Sequence, residues 1–253
     1  MISAMGCKDI IELGCKEMGI SLSNGESIGR LVHYYNELVK WNRKMNLVSQ
    51  ASEQETVESH FLDSLTLLPH LHCEEKPDLL DVGTGAGFPG LVLKAACPEL
   101  GLTLVEPRAK RVTFLRHIVR SLHLDNVTII EKRLEPSLAG QLKTYPCITS
   151  RALATISDFL ELAAPFSPAG GTVICMKGPK AEEEISQWRT DHPASPYTLQ
   201  NIVSLTLPFS RAMRNLVIFS KTAQPDENLI FLDVRCGNIN AKLTRKNGAA
   251  WIW

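Results

Sequence analysis

Asp81, Gly83, Gly85, Gly87 and Glu106 are of types, and at spacings, that could hold a small charged molecule. Residues 79–90 read Leu-Leu-Asp-Val-Gly-Thr-Gly-Ala-Gly-Phe-Pro-Gly. A short apolar run ends in an acid, glycines alternate after it, and a Phe-Pro opens the next segment. This is the pattern of a strand, a glycine loop and a helix, the turn that binds nucleotides. Glycine is required there because the backbone turns tightly and the ligand lies against it, where a Cβ would collide. Gly85-x-Gly87-x-x-Gly90 also matches the dinucleotide fingerprint, a weak signal by itself. Asp81 separates the candidates. A carboxylate at the loop entrance repels a pyrophosphate, whereas S-adenosylmethionine (SAM) carries no phosphate and has a cationic ammonium and sulfonium. Glu106 ends the next apolar run, Leu102-Thr-Leu-Val105, and would accept hydrogen bonds from ribose hydroxyls in either ligand.

The elements needed to position these residues are legible in outline. Short apolar runs near 79–82, 102–106, 127–131, 147–150, 171–176, 199–206 and 214–220 predict strands. Amphipathic segments near 89–97, 109–123, 154–165 and 180–189 predict helices. No helical pattern separates the last two strands, so they pair antiparallel. The predicted fold class is α/β: a doubly wound, Rossmann-like sheet of seven strands ending in a hairpin, the layout of SAM-dependent methyltransferases.

Residues 1–72 read as an N-terminal helical cap. Ile28, Leu31, Val32, Tyr35, Leu38, Val39 and Met45 follow the 3.6 period, with Asn42 the polar miss. A shorter first helix ends at Gly19, and Ser52-x-x-Glu55 is a capping box opening a third. Residues 73–222 form the predicted methyltransferase domain, and 223–253 an extension with one candidate strand at 229–234. The fold should tolerate its removal.

The chain has 253 residues with 27 basic and 27 acidic side chains, so whole-protein charge does not capture nucleic acid, although a local patch can. No apolar stretch reaches the about 18 residues of a membrane span, and no signal peptide is visible. Seven cysteines without a Cys-x-x-Cys predict reduced, buried thiols and a cytoplasmic protein. No metal site is expected; His70, His72 and Cys73 read as a helix end and loop.

A basic segment comprises Arg108, Lys110, Arg111, Arg116 and Arg120, then Lys132 and Arg133. Lys177, Lys180, Arg211 and Arg214 could extend it. It reads equally as an RNA-binding patch or as a solvated helix face. Trp41 reads as a core anchor before a base-stacking residue. Cys147 enters the fourth strand and Cys175 lies within the fifth, so both read as core thiols and not as nucleophiles. Residues 148–152, Ile-Thr-Ser-Arg-Ala, lack the Asn/Asp-Pro-Pro-aromatic turn found in many enzymes that methylate exocyclic amines.

Several longer motifs occur in one order along the chain. They are Lys40-Trp-Asn-Arg-Lys-Met-Asn-Leu-Val-Ser49, His60-Phe-Leu-Asp-Ser64, the 81–90 loop, Lys110-Arg-Val-x-Phe-Leu115, Arg133-Leu-Glu135, Ser150-Arg-Ala152, Met176-Lys-Gly178 and Arg211-x-x-Arg-Asn-Leu-Val217. Together they resemble the bacterial 16S rRNA guanine-N7 methyltransferase family, also called glucose-inhibited division protein B. The resemblance runs from about residue 10 to 220. It departs at Glu106, where Asp is also common, and beyond 222, where no counterpart is evident.

The resemblance implies that Gly83 and Phe88 flank the methionine moiety of SAM, Glu106 the ribose, and Leu134 and Glu135 the adenine edge. Arg151 would close the site, although after a strand it also reads as an ion-pair residue. Arg151 and Lys177 would position substrate, and no residue would act as a base. Lys110, Arg111, Arg116, Arg133, Lys177 and Arg211 would contact 16S rRNA or the small subunit, with the protein acting as a monomer. The rivals are a small-molecule methyltransferase and a non-catalytic RNA-binding or assembly protein. An NAD-dependent oxidoreductase is disfavoured by Asp81.

Overall fold

A computed structural model describes residues 5–22, 25–71 and 77–222. The expected strand at 229–234, the extension as a whole, and His72, Cys73 and Cys236 lie outside the described residues.

The strands are β1 (Asp78–Val82), β2 (Gly101–Val105), β3 (Val127–Ile130), β4 (Cys147–Arg151), β5 (Thr172–Lys177), β6 (Tyr197–Thr206) and β7 (Met213–Lys221). They form one sheet in the order β3-β2-β1-β4-β5-β7-β6. Pairing is parallel from β3 through β5; β7 runs antiparallel to both β5 and β6. All seven predicted strands are present, and the last two form the predicted hairpin. The direction of the sheet changes at β1, which has β2 on one side and β4 on the other. Ligands bind doubly wound sheets in the crevice at such a point, beyond the carboxyl ends of the strands.

Helices cover both faces. On one lie α1 (Cys7–Glu17), α2 (Gly25–Met45), α5 (Gly90–Ala96), α6 (Ala109–Ser121) and a three-part helix. That helix runs from α3 (Glu53–Thr56) through a π-helical turn (Val57–Leu62) into α4 (Asp63–Leu65). On the other face lie α7 (Ile156–Ala163) and α8 (Ala181–Asp191). Alternation within the strands divides the core. Leu79, Leu102 and Leu104 join the first face, and Leu80, Val82 and Val105 the second. Ile10, Leu31, Tyr34 and Phe61 of the N-terminal helices share a hydrophobic cluster with Leu91, Phe114 and Leu115 of α5 and α6. The predicted boundary at 72/73 therefore marks a change in element type within one continuous core.

Local signals act as expected. Gly19, at φ +66°, closes α1 in the left-handed region, with Ile20 N–H donating to Cys15 O at 2.9 Å. Ser52 Oγ accepts from Glu55 N–H at 3.2 Å, and Glu55 accepts from Ser52 N–H at 2.9 Å. The polar miss in α2 has a use: Asn42 Oδ1 accepts from Val48 N–H at 2.9 Å and tethers the following turn. The stripe itself is rotated from expectation. Tyr34 is fully buried, while Val32 and Val39 are half-buried.

Candidate cofactor and RNA site

After β1 the chain turns through Gly83, Gly85 and Gly87 at φ +73°, +63° and +102°. All three lie in the region that side chains disfavour. Gly83 and Thr84 donate to Val105 O at 2.9 and 3.2 Å, which ties the loop to the end of β2. Gly90 is required for another reason. A Cβ there would lie 2.7 Å from both Asp81 Oδ2 and Leu104 Cδ2.

Asp81 is fully buried. Its Oδ2 accepts from Thr84 Oγ1 at 2.6 Å and from Gly90 N–H at 2.8 Å. Its Oδ1 is buried with no hydrogen-bond partner. Burial pushes the carboxyl up to about 6, against the lowering effect of those two bonds and of Arg151. An orphaned buried acceptor is costly unless something completes it. Glu106 is also buried, and accepts from Gly85 N–H at 3.0 Å and Arg108 N–H at 2.9 Å. Each oxygen keeps a further lone pair for hydroxyl donors. These features fit SAM: Asp81 Oδ1 would accept from its ammonium, Glu106 from its ribose, and the glycine loop would lie against it.

Phe88 departs from expectation. Its ring is 4% exposed and turns inward, stacked on Tyr34 at 5.7 Å and on His60 at 4.8 Å between centroids. Tyr34 hydroxyl donates to Ala86 O within the loop. Tyr34 is thus a loop-supporting residue that the helical period did not single out.

Arg151 lies over the Phe88 ring at 5.3 Å. It donates to Ser59 O at 2.7 Å, Asp63 Oδ2 at 3.2 Å and His60 Nδ1 at 3.0 Å. Arginine has only donors, so His60 Nδ1 must be the acceptor and the ring neutral. Burial, then the Arg151 charge, push His60 down to about 4, in agreement. Asp63 Oδ1 accepts from Arg214 Nε at 3.0 Å, so one buried carboxylate joins the ends of β4 and β7. Glu58, also buried, accepts from Phe209 N–H at 2.6 Å and Ser210 N–H at 2.9 Å and anchors the β6–β7 turn. Both readings of Arg151 hold in part: it is an ion-pair residue, and it sits beside the loop. The π-helical turn, of a kind frequent at functional sites, supplies Ser59 and His60, and the start of α4 supplies Asp63.

The remaining predicted residues divide. Leu134 is buried and Glu135 exposed at the rim beyond β3. Lys110, Arg116, Arg133 and Arg211 are exposed, as are Arg108, Arg120 and Lys132. Arg116 pairs with Glu131 at 3.2 Å with both side chains solvated, a pair of little energetic weight. Arg111 is instead drawn to Glu106 at 3.6 Å, beside Gly85. Lys177 is committed to Glu184 Oε2 at 2.7 Å and to Ala154 O at 2.6 Å, which leaves it poorly placed for phosphate. Trp41 packs against Phe114 and His117, at 5.6 and 4.8 Å between centroids, as a core anchor. Cys147 and Cys175 are free, buried thiols pushed up to about 12 by burial, which removes them as nucleophiles. Among the described residues no cluster could hold a metal ion, and no helix is long and apolar enough to cross a membrane.

A glycine loop with a buried, half-satisfied acid at the switch point of a 3-2-1-4-5-7-6 sheet defines a SAM-dependent methyltransferase. Solved structures agree on the fold. A putative O-methyltransferase from Klebsiella pneumoniae superposes with a TM-score of 0.51 at 15% identity, covering 75% of this chain and 90% of that one. A ribosomal protein L11 methylase from Lactobacillus delbrueckii gives 0.50 at 15% identity, covering 70% and 82%. The family model for rRNA small subunit methyltransferase G matches residues 27–217, and the chain belongs to that family. It is 48% identical over 210 residues to the ribosomal RNA small subunit methyltransferase G of Desulfotalea psychrophila, covering 81% of this chain and 94% of the relative. It is 36% identical over 224 residues to that of Alkaliphilus metalliredigens, covering 87% and 92%.

Proposed function

We propose that the protein transfers the methyl group of SAM to N7 of a guanine in 16S rRNA, as a cytoplasmic monomer. In this reading residues 1–72 support the cofactor loop, 73–222 carry the site, and 223–253 are an extension outside the chemistry. SAM supplies an electrophilic methyl group on a sulfonium. The observation that carries the choice of N7 is the state of His60. N7 offers an in-plane lone pair and no proton, so the transfer needs position and electrostatics in place of a base. His60 is the imidazole beside the loop, and its Nδ1 is already occupied by Arg151. Incubation of unmodified 16S rRNA, naked and as small subunits, with labelled SAM should yield 7-methylguanosine after digestion to nucleosides. Label in another nucleoside, or none in either RNA, would refute the assignment.

Cofactor affinity should depend on Asp81. With the carboxyl at about 6, binding that needs the carboxylate strengthens as pH rises through 6 and is flat above 7. The expected gain is about 10-fold in Kd between pH 5 and 7. Asp81→Asn should bind more weakly and lose this dependence. Stability without cofactor has the opposite sign. A folded-state value raised above the unfolded value of about 3.9 favours the fold at low pH, so that contribution is lost as pH rises from about 4 to 6. Calorimetric titrations across pH 5–8 check the first point, and a wild-type affinity independent of pH would refute it.

The exposed bases on α6 support RNA contact. Replacing Lys110 and Arg116 by Ala should weaken RNA binding most at low salt. Each lost phosphate contact should lower the log–log salt slope by about 0.7–0.9. SAM affinity should stay within twofold. An unchanged slope in the double variant would return α6 to an ordinary solvated face.

A further inference from the structure

The segment leaving β4 is pinned where it enters α7 and carries an apolar side chain that the core does not use. Lys177 Nζ donates to Ala154 O at 2.6 Å. The lysine is paired with Glu184 Oε2 at 2.7 Å, and the same oxygen accepts from Ile156 N–H at 2.9 Å, at the start of α7. One carboxylate oxygen thus fixes the lysine and the helix entry together. Just before these anchors, and directly after Arg151 ends β4, Ala152 adopts φ +53°, a conformation that alanine disfavours and that surrounding structure must impose. The result is the placement of Leu153. It is 42% exposed, yet its Cδ1 lies 2.7 Å from where a Cβ on Gly83 would be. The other large exposed apolar side chains among the described residues are Met5, Leu13 and Met213, none of them next to the glycine loop in the chain or in contact with Gly83. Of these, Leu153 alone borders it, just past the carboxyl end of β4 and next to β1, where the sheet changes direction.

We propose that Leu153 is the wall against which the target base is held at the methyl donor, and that Lys177 and Glu184 are positioning residues for it. The proposal rests on the reading that a guanine in RNA is the substrate. A lone pair in the plane of a flat ring reacts in line only if that plane is fixed. Enzymes acting on extruded bases fix it by stacking on apolar or aromatic side chains. A leucine packed against the cofactor loop supplies such a face and keeps water from the reacting centre. This gives Lys177 a role that its pairing permits, in place of a phosphate contact that its pairing opposes.

The test uses the full-length protein with unmodified small subunits and with naked 16S rRNA. Leu153→Ser should lower the single-turnover rate at saturating RNA at least tenfold. SAM affinity should stay within twofold and melting temperature within a few degrees, since the side chain is exposed. Leu153→Met should recover at least half of the wild-type rate. Glu184→Gln should slow the wild type several-fold but add little to Leu153→Ser, because both act through one contact. A Leu153→Ser rate within twofold of wild type would overturn the proposal. So would a parallel loss of SAM affinity, or independent multiplication of the two effects. If wild type transfers no methyl group to either RNA, the RNA reading fails and this proposal fails with it. If wild type is active and Leu153→Ser is unaffected, only the wall is lost.

Discussion

Gly85→Val should abolish SAM binding and leave the protein folded. The expected wild-type affinity, in the micromolar range, corresponds to about −8 kcal/mol, and the expected loss is at least 100-fold, about 2.7 kcal/mol or more. The reason is the difference between neighbouring glycines. A Cβ at Gly85 would meet Arg111 Nη1 at 3.6 Å, an ordinary contact, so the branches of valine would project into the space where a ligand lies on the loop. The cost to the fold is the left-handed backbone at φ +63°, about 1–2 kcal/mol, or roughly 2–8 °C in melting temperature for a chain of this size. Gly87→Val is the contrasting case. There a Cβ would press on the Tyr34 hydroxyl and on Leu91 Cδ1 at 2.7 Å, inside the core, and folding should fail. Calorimetry and thermal melting of the two variants separate the roles. A Gly85→Val protein with SAM affinity within threefold of wild type would remove the loop from the cofactor site.

Asp63→Ala should be the most destabilising single replacement of a polar side chain near the site. Asp63 is 3% exposed and bridges Arg151 and Arg214. Removing one partner of a buried ion pair leaves the other uncompensated and costs about 3–5 kcal/mol. Both guanidiniums here keep some solvent, so the lower end, about 3 kcal/mol, is expected, which is roughly 6–12 °C in melting temperature. Asp63→Asn keeps an acceptor and should lose less. Urea unfolding measures both. A loss below about 1 kcal/mol for Asp63→Ala would mean that the two arginines hold their places without the bridge.

The parts of the site that were legible in the sequence are those built from neighbours in the chain. Asp81, the glycines and Glu106 belong to one strand–loop–helix–strand unit, where a few residue types satisfy a strict backbone geometry. The strands were legible because β1, β2 and β5 are buried on both faces and read as mostly apolar runs. The parts that the sequence did not show depend on partners far along the chain. Lys177 and Arg111 look like free cations until Glu184 and Glu106 are placed beside them. Phe88 looks like a ligand wall until Tyr34 and His60 stack on its ring. Tyr34 escapes the periodic pattern because Tyr35 beside it fits the same stripe, and a one-residue rotation of a helix leaves little trace in periodicity. Glu58 gave no signal, since its partners are backbone amides about 150 positions later.

That last separation has a consequence for how the molecule is made. Glu58 meets Phe209 and Ser210 across 151 and 152 positions, and Asp63 meets Arg214 across 151. Contacts of such high order form late, because the chain must close a long loop before they contribute. At about 5–20 residues per second of synthesis, the π-helical turn waits roughly 8–30 s for its partners to be made. The glycine loop, its acid and the Arg151 contacts to Ser59, His60 and Asp63 can be complete long before then, but Arg214 and the β6–β7 turn cannot be locked. A nascent or prematurely ended chain therefore carries a formed cofactor loop beneath an unsecured rim. Full assembly of the rim reports that translation has reached β7.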